Sequence, residues 1–187
     1  MAEPEILTRR LKLSPLRATD AAALFEYRSD PEVCRYQSFE PGSVEDAQEF
    51  ISIVQPIPFD TPDTWFQFGI RVQESGLIIG DIGAHFMADD VRQVEIGFTV
   101  ASRHQGQGFG TEAVSGLVDY LFGVHGKHRV FASVDPRNEP CITLLKRVGM
   151  RKEAHFRESL WLKGEWVDDM VFGILRSEWK GDGEEGN

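Results

Sequence analysis

Cysteine is almost missing from this chain of 187 residues, which has only Cys34 and Cys141. Two widely separated cysteines make no disulfide framework, and a reduced, cytoplasmic protein is the simpler expectation. Positive charge is scarce as well. Twenty Lys and Arg stand against thirty Asp and Glu, a formal net charge of −10. That balance argues against a nucleic-acid partner, because phosphate binding needs a basic surface. No apolar run approaches the ~20 residues that span a bilayer. Met1-Ala2-Glu3-Pro4-Glu5 lacks the apolar segment of a signal peptide, so no membrane partner is expected. The five histidines, at 85, 104, 125, 128 and 155, are scattered. His125 and His128 flank Gly126 with no Cys or carboxylate at ligand spacing, so no metal site is expected. No repeat or linker breaks the chain, which predicts a single domain over 1–180 and a flexible acidic tail over 181–187.

What is there is concentrated between Val94 and Thr111. Val94, Ile96, Phe98 and Val100 alternate with Glu95, Gly97 and Thr99, the period of a strand half buried against apolar neighbours. A short basic loop with Arg103 and His104 follows. Then come Gly106, Gly108 and Gly110 at every second position, and a helical pattern through Ala113, Val114, Leu117, Val118 and Leu121. Strand, glycine turn and helix N-terminus make an anion cradle, because the first backbone N–H groups of a helix lack partners and its dipole adds positive charge. The stretch reads as a cradle for the pyrophosphate of a nucleotide-like cofactor, beside a strand that carries one carboxylate.

The rest of the chain supplies a frame. Residues 10–16 read as a first strand, and Ala21 to Arg28 as a short amphipathic helix that ends at Ser29-Asp30-Pro31. Val33 to Pro41 reads as irregular. A second helix opens at Ser43, an N-cap with a carboxylate three residues on at Asp46. Trp65 to Val72, Leu77 to Phe86 and the focal strand follow with short links, an antiparallel meander. After the helix that begins near Thr111 come a buried strand over Val130 to Val134, a helix over Glu139 to Val148, and two strands joined at Lys163-Gly164. The fold class is therefore α/β (mixed α+β), a central mixed sheet of about seven strands flanked by about four helices.

A dinucleotide fingerprint needs G-x-G-x-x-G directly after a strand, and Gly106, Gly108, Gly110 is one residue short. A P-loop needs a lysine after its last glycine, where this chain has Thr111-Glu112. A plain glycine turn remains the bland alternative. Gln105-Gly106-Gln107-Gly108-Phe109-Gly110-Thr111-Glu112-Ala113 resembles the acetyl-coenzyme A loop Q/R-x-x-G-x-G/A of the GNAT N-acetyltransferase superfamily. The element order fits that fold. Ile79-Gly80-Asp81-Ile82-Gly83, Glu95-Ile96-Gly97-Phe98 and Asn138 to Cys141 with Leu144-Leu145 to Gly149-Met150 resemble the RimJ/RimL-type branch.

The resemblance implies acetyl-coenzyme A as co-substrate and transfer of its acetyl group to a primary amine by direct attack in a ternary complex. It places the cofactor on Phe98, Thr99, Val100, Arg103, Gln105, Gly106, Gln107, Gly108, Phe109, Gly110, Thr111 and Asn138. A backbone N–H near Thr99 or Val100 would stabilise the thioester oxygen. Glu95 matches the strand glutamate that serves as base in several members; its other reading is a salt-bridged strand carboxylate. Cys141 stands where the branch pattern has a serine. It reads either as donor of a proton to the departing thiolate or as a small buried hydrophobe. Asn138 reads either as a pantetheine ligand or as a helix cap. Gly97, between Glu95 and Thr99, is expected to leave room for the acyl chain.

The acceptor implied is a protein N-terminus, as in ribosomal-protein alanine and serine acetyltransferases, or a small amine such as a polyamine or amino sugar. Val33 to Glu40, the region around Phe86 and the late hairpin are expected to line its pocket. Monomer and homodimer are both open. The alternatives are a non-catalytic acyl-coenzyme A sensor of the same fold and an unrelated nucleotide-binding protein.

Overall fold

A computed structural model describes residues 3–181. Apart from Gly181, the expected tail lies outside the described residues. The strands are β1 Ile6–Leu7, β2 Leu11–Pro15, β3 Thr64–Val72, β4 Ile78–Phe86, β5 Gln93–Val100, β6 Arg129–Val134, β7 Arg151–Leu162 and β8 Glu165–Leu175. The helices are α1 Ala21–Arg28, α2 Pro31–Cys34, α3 Val44–Val54, α4 Phe109–Gly123 and α5 Glu139–Arg147. One sheet holds all these strands in the order β1-β2-β3-β4-β5-β6-β8-β7.

The count exceeds the expectation by two short elements. β1 adds two residues that pair with Leu13 and Lys12. α2 adds one turn where Pro31 reads as a stop. Asp30 caps it by accepting the Glu32 N–H, and a proline in the first turn costs no hydrogen bond because its missing N–H would be unpaired there. Ser43 caps α3 as expected: its hydroxyl accepts the Asp46 N–H at 3.1 Å, and Asp46 reaches back to the Gly42 N–H at 2.8 Å.

Both faces of the sheet are covered. On one, Phe68, Ile82, Phe86 and Ile96 meet Val114, Leu117, Val118 and Leu121 of α4 and Leu145 of α5. On the other, Leu24 of α1 and Ala47 and Ile51 of α3 pack with Leu16 and Ile78. This second face also buries charge. Asp81 on β4 has no exposed surface. It accepts from Arg28 at 2.6 and 2.9 Å and from the Tyr27 hydroxyl at 2.8 Å.

The meander β3-β4-β5 is antiparallel and in register, so three rows of side chains share the α1 face: Trp65, His85, Glu95; Gln67, Gly83, Gly97; and Gly69, Asp81, Thr99. The crossover through α4 makes β5 and β6 parallel. They pair only at Gln93 with Arg129, Val94 with Val130 and Glu95 with Phe131. Both strands then continue, to Val100 and Val134, paired with β4 and β8 but no longer with each other. The sheet opens as a V whose apex is Glu95.

Arg28→Met removes both guanidinium bonds and leaves Asp81 as an uncompensated buried charge. Urea unfolding is expected to show a loss of about 3–5 kcal/mol; a loss under about 1 kcal/mol, the range of an exposed ion pair, would contradict this account.

Candidate active site

At the wide end of the V, the chain leaves β5, turns through residues 102–108 and enters α4. Gly106 and Gly108 have φ of +72° and +80°, a left-handed conformation that costs other residues about 1–2 kcal/mol. Gly108 is the N-cap of α4 and has no side chain to cap it, so the first-turn N–H groups face outward. Glu112, in that first turn, would repel an anion. It is instead engaged from behind: it accepts from Thr8 at 2.6 Å and from Arg10 at 2.6 Å, through both Nε and the backbone N–H. Arg10 also donates to the Gln107 carbonyl at 3.0 Å and lies over the Phe109 ring.

Gln105, Gly106, Gly108, Gly110 and Thr111 line one wall of an open groove, which continues past Val100 and Phe98 to Asn138 and Cys141. Four residues predicted here lie outside it, among them Thr99, which is buried beside Asp81 on the face that α1 covers. Gln107 folds back on the Arg103 carbonyl, Phe109 packs against the core, and Arg103 pairs with Glu26 of α1. Other arginines line it: Arg147, Arg35, which pairs with Glu32, and Arg137, which pairs with Asp135 and Glu165; Glu32 and Glu139 share the lining. No sequence signal marked those arginines.

A second, smaller cavity fills the V itself. Ile96, Gly97 and Phe98 form one arm and Ala132, Ser133 and Val134 the other, with Leu160, Leu162 and Val167 of the hairpin as a roof. Asp135, Asp168 and Asp169 make it acidic. The two cavities meet, sharing Tyr36, Gln37, Phe98, Asn138 and Cys141. Residues 33–40 and the hairpin thus contribute as expected. Phe86 does not: it is fully buried in the core.

The open arm of β5 has lost its strand partner, and side chains replace it. The Phe98 carbonyl accepts from Gln37 at 3.5 Å and the Val100 carbonyl from Gln105 at 2.8 Å. N–H and C=O of one strand residue point the same way, and successive residues alternate. Phe98 and Val100 therefore aim their N–H groups into the V. Thr99 aims its own at β4, where its carbonyl lies 2.1 Å from the position a Cβ on Gly80 would take.

Asn138 caps α5, its Oδ1 accepting the Cys141 N–H at 3.3 Å, and it lines both cavities at once. Burial pushes the Cys141 thiol up to about 12, so it holds its proton more tightly than an ordinary thiol near 8.5. Glu95 is half-buried, and burial raises its carboxyl above the ordinary range against the opposing pull of His85, while Asp169 raises it further. His85 Nδ1 lies 3.6 Å from Glu95 Oε2. Glu95 lines neither cavity directly; it sits at the apex, next to Ile96. Asp169 does line the V and accepts from the Ser133 hydroxyl at 2.5 Å. The space above Gly97 is not free for an acyl chain: the Trp65 ring lies 3.6 Å from where a Cβ would stand.

Among the described residues, no group of three or more His, Cys, Asp or Glu is placed to hold a metal ion, and no helix is long and apolar enough to cross a membrane.

Known proteins are similar to this chain in sequence and in fold. Residues 10–151 match the family described as Acetyltransferase (GNAT) domain. An uncharacterized N-acetyltransferase, p20, of Bacillus licheniformis is 33% identical over 177 residues, which cover 94% of this chain and 98% of that one. The [Ribosomal protein uS5]-alanine N-acetyltransferase of Escherichia coli is 25% identical over 115 residues, 61% of this chain and 59% of its own. Among solved structures, Mycobacterium smegmatis RimJ in complex with CoA-disulfide has a TM-score of 0.84 at 23% identity, covering 95% of this chain and 90% of that one.

Gly106 faces open space, with nothing within 4 Å of an added Cβ. Gly106→Ala should therefore fold, yet place a methyl group in the groove on a strained backbone. Calorimetric titration is expected to show the acetyl-coenzyme A Kd raised about tenfold, or about 1.4 kcal/mol. An unchanged Kd would remove this turn from the binding site.

Proposed function

This chain belongs to the GNAT acetyltransferase family, and on that premise we propose that it moves an acetyl group from acetyl-coenzyme A directly to a primary amine held in the V between β5 and β6. The chain is an N-acetyltransferase, and members of its family use acetyl-coenzyme A. The observation that carries the finer reading is the meeting of two cavities of opposite character. One is a groove with arginines and free helix N–H groups, which suits pyrophosphate; the other is an acidic cavity, which suits an ammonium. They join at Phe98, Asn138 and Cys141, where thioester and amine would come together.

Acetyl-coenzyme A supplies the activated acyl carbon. Gly106 to Thr111 would hold its pyrophosphate, and Asn138 its pantetheine arm. The Phe98 and Val100 N–H groups, fixed on the open strand, are placed to stabilise charge that develops on a carbonyl oxygen. A protonated amine cannot attack, so one carboxylate must take its proton. Glu95 fills that role through a bridging water, because its raised carboxyl makes it a stronger base than an ordinary glutamate. Asp169 is the second reading, favoured by its direct place in the cavity wall. The thiol of Cys141, held protonated by burial, is a poor proton source, and the proton that departs with the amine nitrogen can serve the leaving thiolate instead. A pure acyl-coenzyme A sensor would need the groove but has no use for a carboxylate-lined cavity that joins it.

The acceptor is a protein N-terminus, as for the uS5-alanine relative, or a small cationic amine. The two cysteines are free thiols, which suits a reducing cytoplasm. The exposed Trp161, Trp166, Phe156 and Leu160 on the hairpin keep a homodimer beside the monomer.

Thiol release with a panel of amines tests this reading. Glu95→Gln is expected to lower kcat about 100-fold or more, and Asp169→Asn to raise the KM for cationic amines with a smaller effect on kcat. The base form of Glu95 is lost as pH falls through its raised pKa. The acid limb of kcat/KM should therefore lie above the ordinary glutamate value near 4.3 and vanish in Glu95→Gln. The reverse pattern, with Glu95→Gln fully active and Asp169→Asn inactive, would assign the base to Asp169.

A further inference from the structure

Glu95 keeps about a quarter of its side chain exposed, and the rest of it faces an inner path along the sheet. Its carboxylate is half-buried at the apex of the V, and the row of the sheet that it belongs to continues through His85 to Trp65. Each acetyl transfer to an ammonium leaves one proton to dispose of, so a base in this position needs an outlet.

The sheet provides one on the side away from the cavity. His85 Nδ1 has no exposed surface and no hydrogen-bond partner, which is rare for a buried polar atom and calls for an explanation. Its neighbour is Glu95 Oε2 at 3.6 Å. The opposite ring nitrogen, Nε2, lies 3.7 Å from Asp63 Oδ1. The Asp63 side chain is 78% exposed, and its backbone N–H is tied to the Phe86 carbonyl at 2.8 Å, so a carboxylate is fixed where this row reaches solvent. The Trp65 indole stacks on the His85 ring with centroids 5.0 Å apart and 12° between planes, which holds the imidazole plane between the two carboxylates. The same indole covers Gly97 and Gly83.

We propose that His85 is the proton relay of this enzyme, passing the proton that Glu95 takes from the acceptor ammonium outward past Asp63 to solvent. The inference rests on Glu95 being the base. The steps balance. The ammonium gives a proton to the Glu95 carboxylate and becomes the attacking amine. Protonated Glu95 gives that proton to His85 Nδ1, while Nε2 gives its own to Asp63 or to water. The carboxylate is restored, the imidazole is neutral in the other tautomer, and ring rotation or a return exchange resets it. The starting tautomer carries the proton on Nε2, the nitrogen that faces Asp63 at 3.7 Å. His85 touches no substrate; it is a positioning and relay residue for Glu95.

The charged and titratable groups around Glu95 are His85 from β4 and Asp169 from β8; those around His85 are Glu95 from β5 and Asp63 from the segment before β3. His85 pulls the Glu95 carboxyl down and Asp169 pushes it up, so removing the imidazole must raise it and move the acid limb of kcat/KM to higher pH.

The test compares wild-type, His85→Gln, His85→Ala and Glu95→Gln by thiol release with one amine at saturating acetyl-coenzyme A in weakly buffered solution. His85→Gln is expected to lose about tenfold or more in kcat, with the KM for the amine within about twofold and the acid limb moved up in pH. In His85→Ala, added imidazole is expected to restore kcat in proportion to its concentration, which a merely structural role would not produce. Wild-type kcat and limb in His85→Gln would overturn the relay, as would a loss in His85→Ala that imidazole leaves untouched. Glu95→Gln separates the two levels. If it is fully active, the base assignment fails and the relay with it; if it is impaired while His85→Gln is normal, the relay alone fails.

Discussion

The site depends on one interruption in backbone pairing. β5 and β6 are parallel neighbours that exchange hydrogen bonds along three rows and then part after Glu95 and Phe131. Unpaired strand groups in a protein interior are costly, so the gap has to be held open by other bonds. Gln37 and Gln105 occupy the exposed carbonyls of Phe98 and Val100. The hairpin that roofs the gap is pinned at its tip, where Lys163 donates to the Cys34 carbonyl at 2.8 Å and to Glu40 at 2.6 Å. Arg137 bridges Asp135 and Glu165 beneath it. α1, α2, α5 and the hairpin are thus organised around keeping two strands apart.

That opening also sorts charge. The chain as a whole is acidic, at −10, yet the side of the V that faces α4 gathers arginines and uncapped helix N–H groups, and the far side gathers Asp135, Asp168 and Asp169. The first-turn Glu112 would blur this separation, and its ion pair with Arg10 at 2.6 Å removes it from the groove. On the proposed function, an anionic co-substrate and a cationic acceptor would enter by opposite mouths of one passage. Glu95 stands at the apex, where burial makes its carboxyl basic and the sheet row behind it leads to His85.

Much of this was legible because local patterns determine it. The alternation from Val94 to Val100 and the glycines at 106, 108 and 110 needed no tertiary information, nor did the Ser43 cap or the Lys163-Gly164 turn. The fold class followed from the order of these elements. What escaped were short elements and contacts made across the sheet. Two residues of β1 and one turn of α2 carry too little periodicity to be seen. Trp65 fills the space over Gly97 because β3, β4 and β5 share a register, and register cannot be read from one strand. Arg103 looked like a phosphate ligand by its place in the loop, but Glu26, far away in sequence, claims it. Tyr36, Gln37 and Asp169 lie in segments expected to line the pocket, but which side chains of those segments reach it is set only by the folded chain.

A crystal structure of the protein with acetyl-coenzyme A bound tests the account most directly. The account predicts the pyrophosphate on the backbone N–H groups between Gly106 and Thr111, and the thioester carbonyl at the junction lined by Phe98 and Cys141, with its oxygen toward the Phe98 or Val100 N–H. A cofactor seated elsewhere, or a thioester held outside the V between β5 and β6, would contradict it.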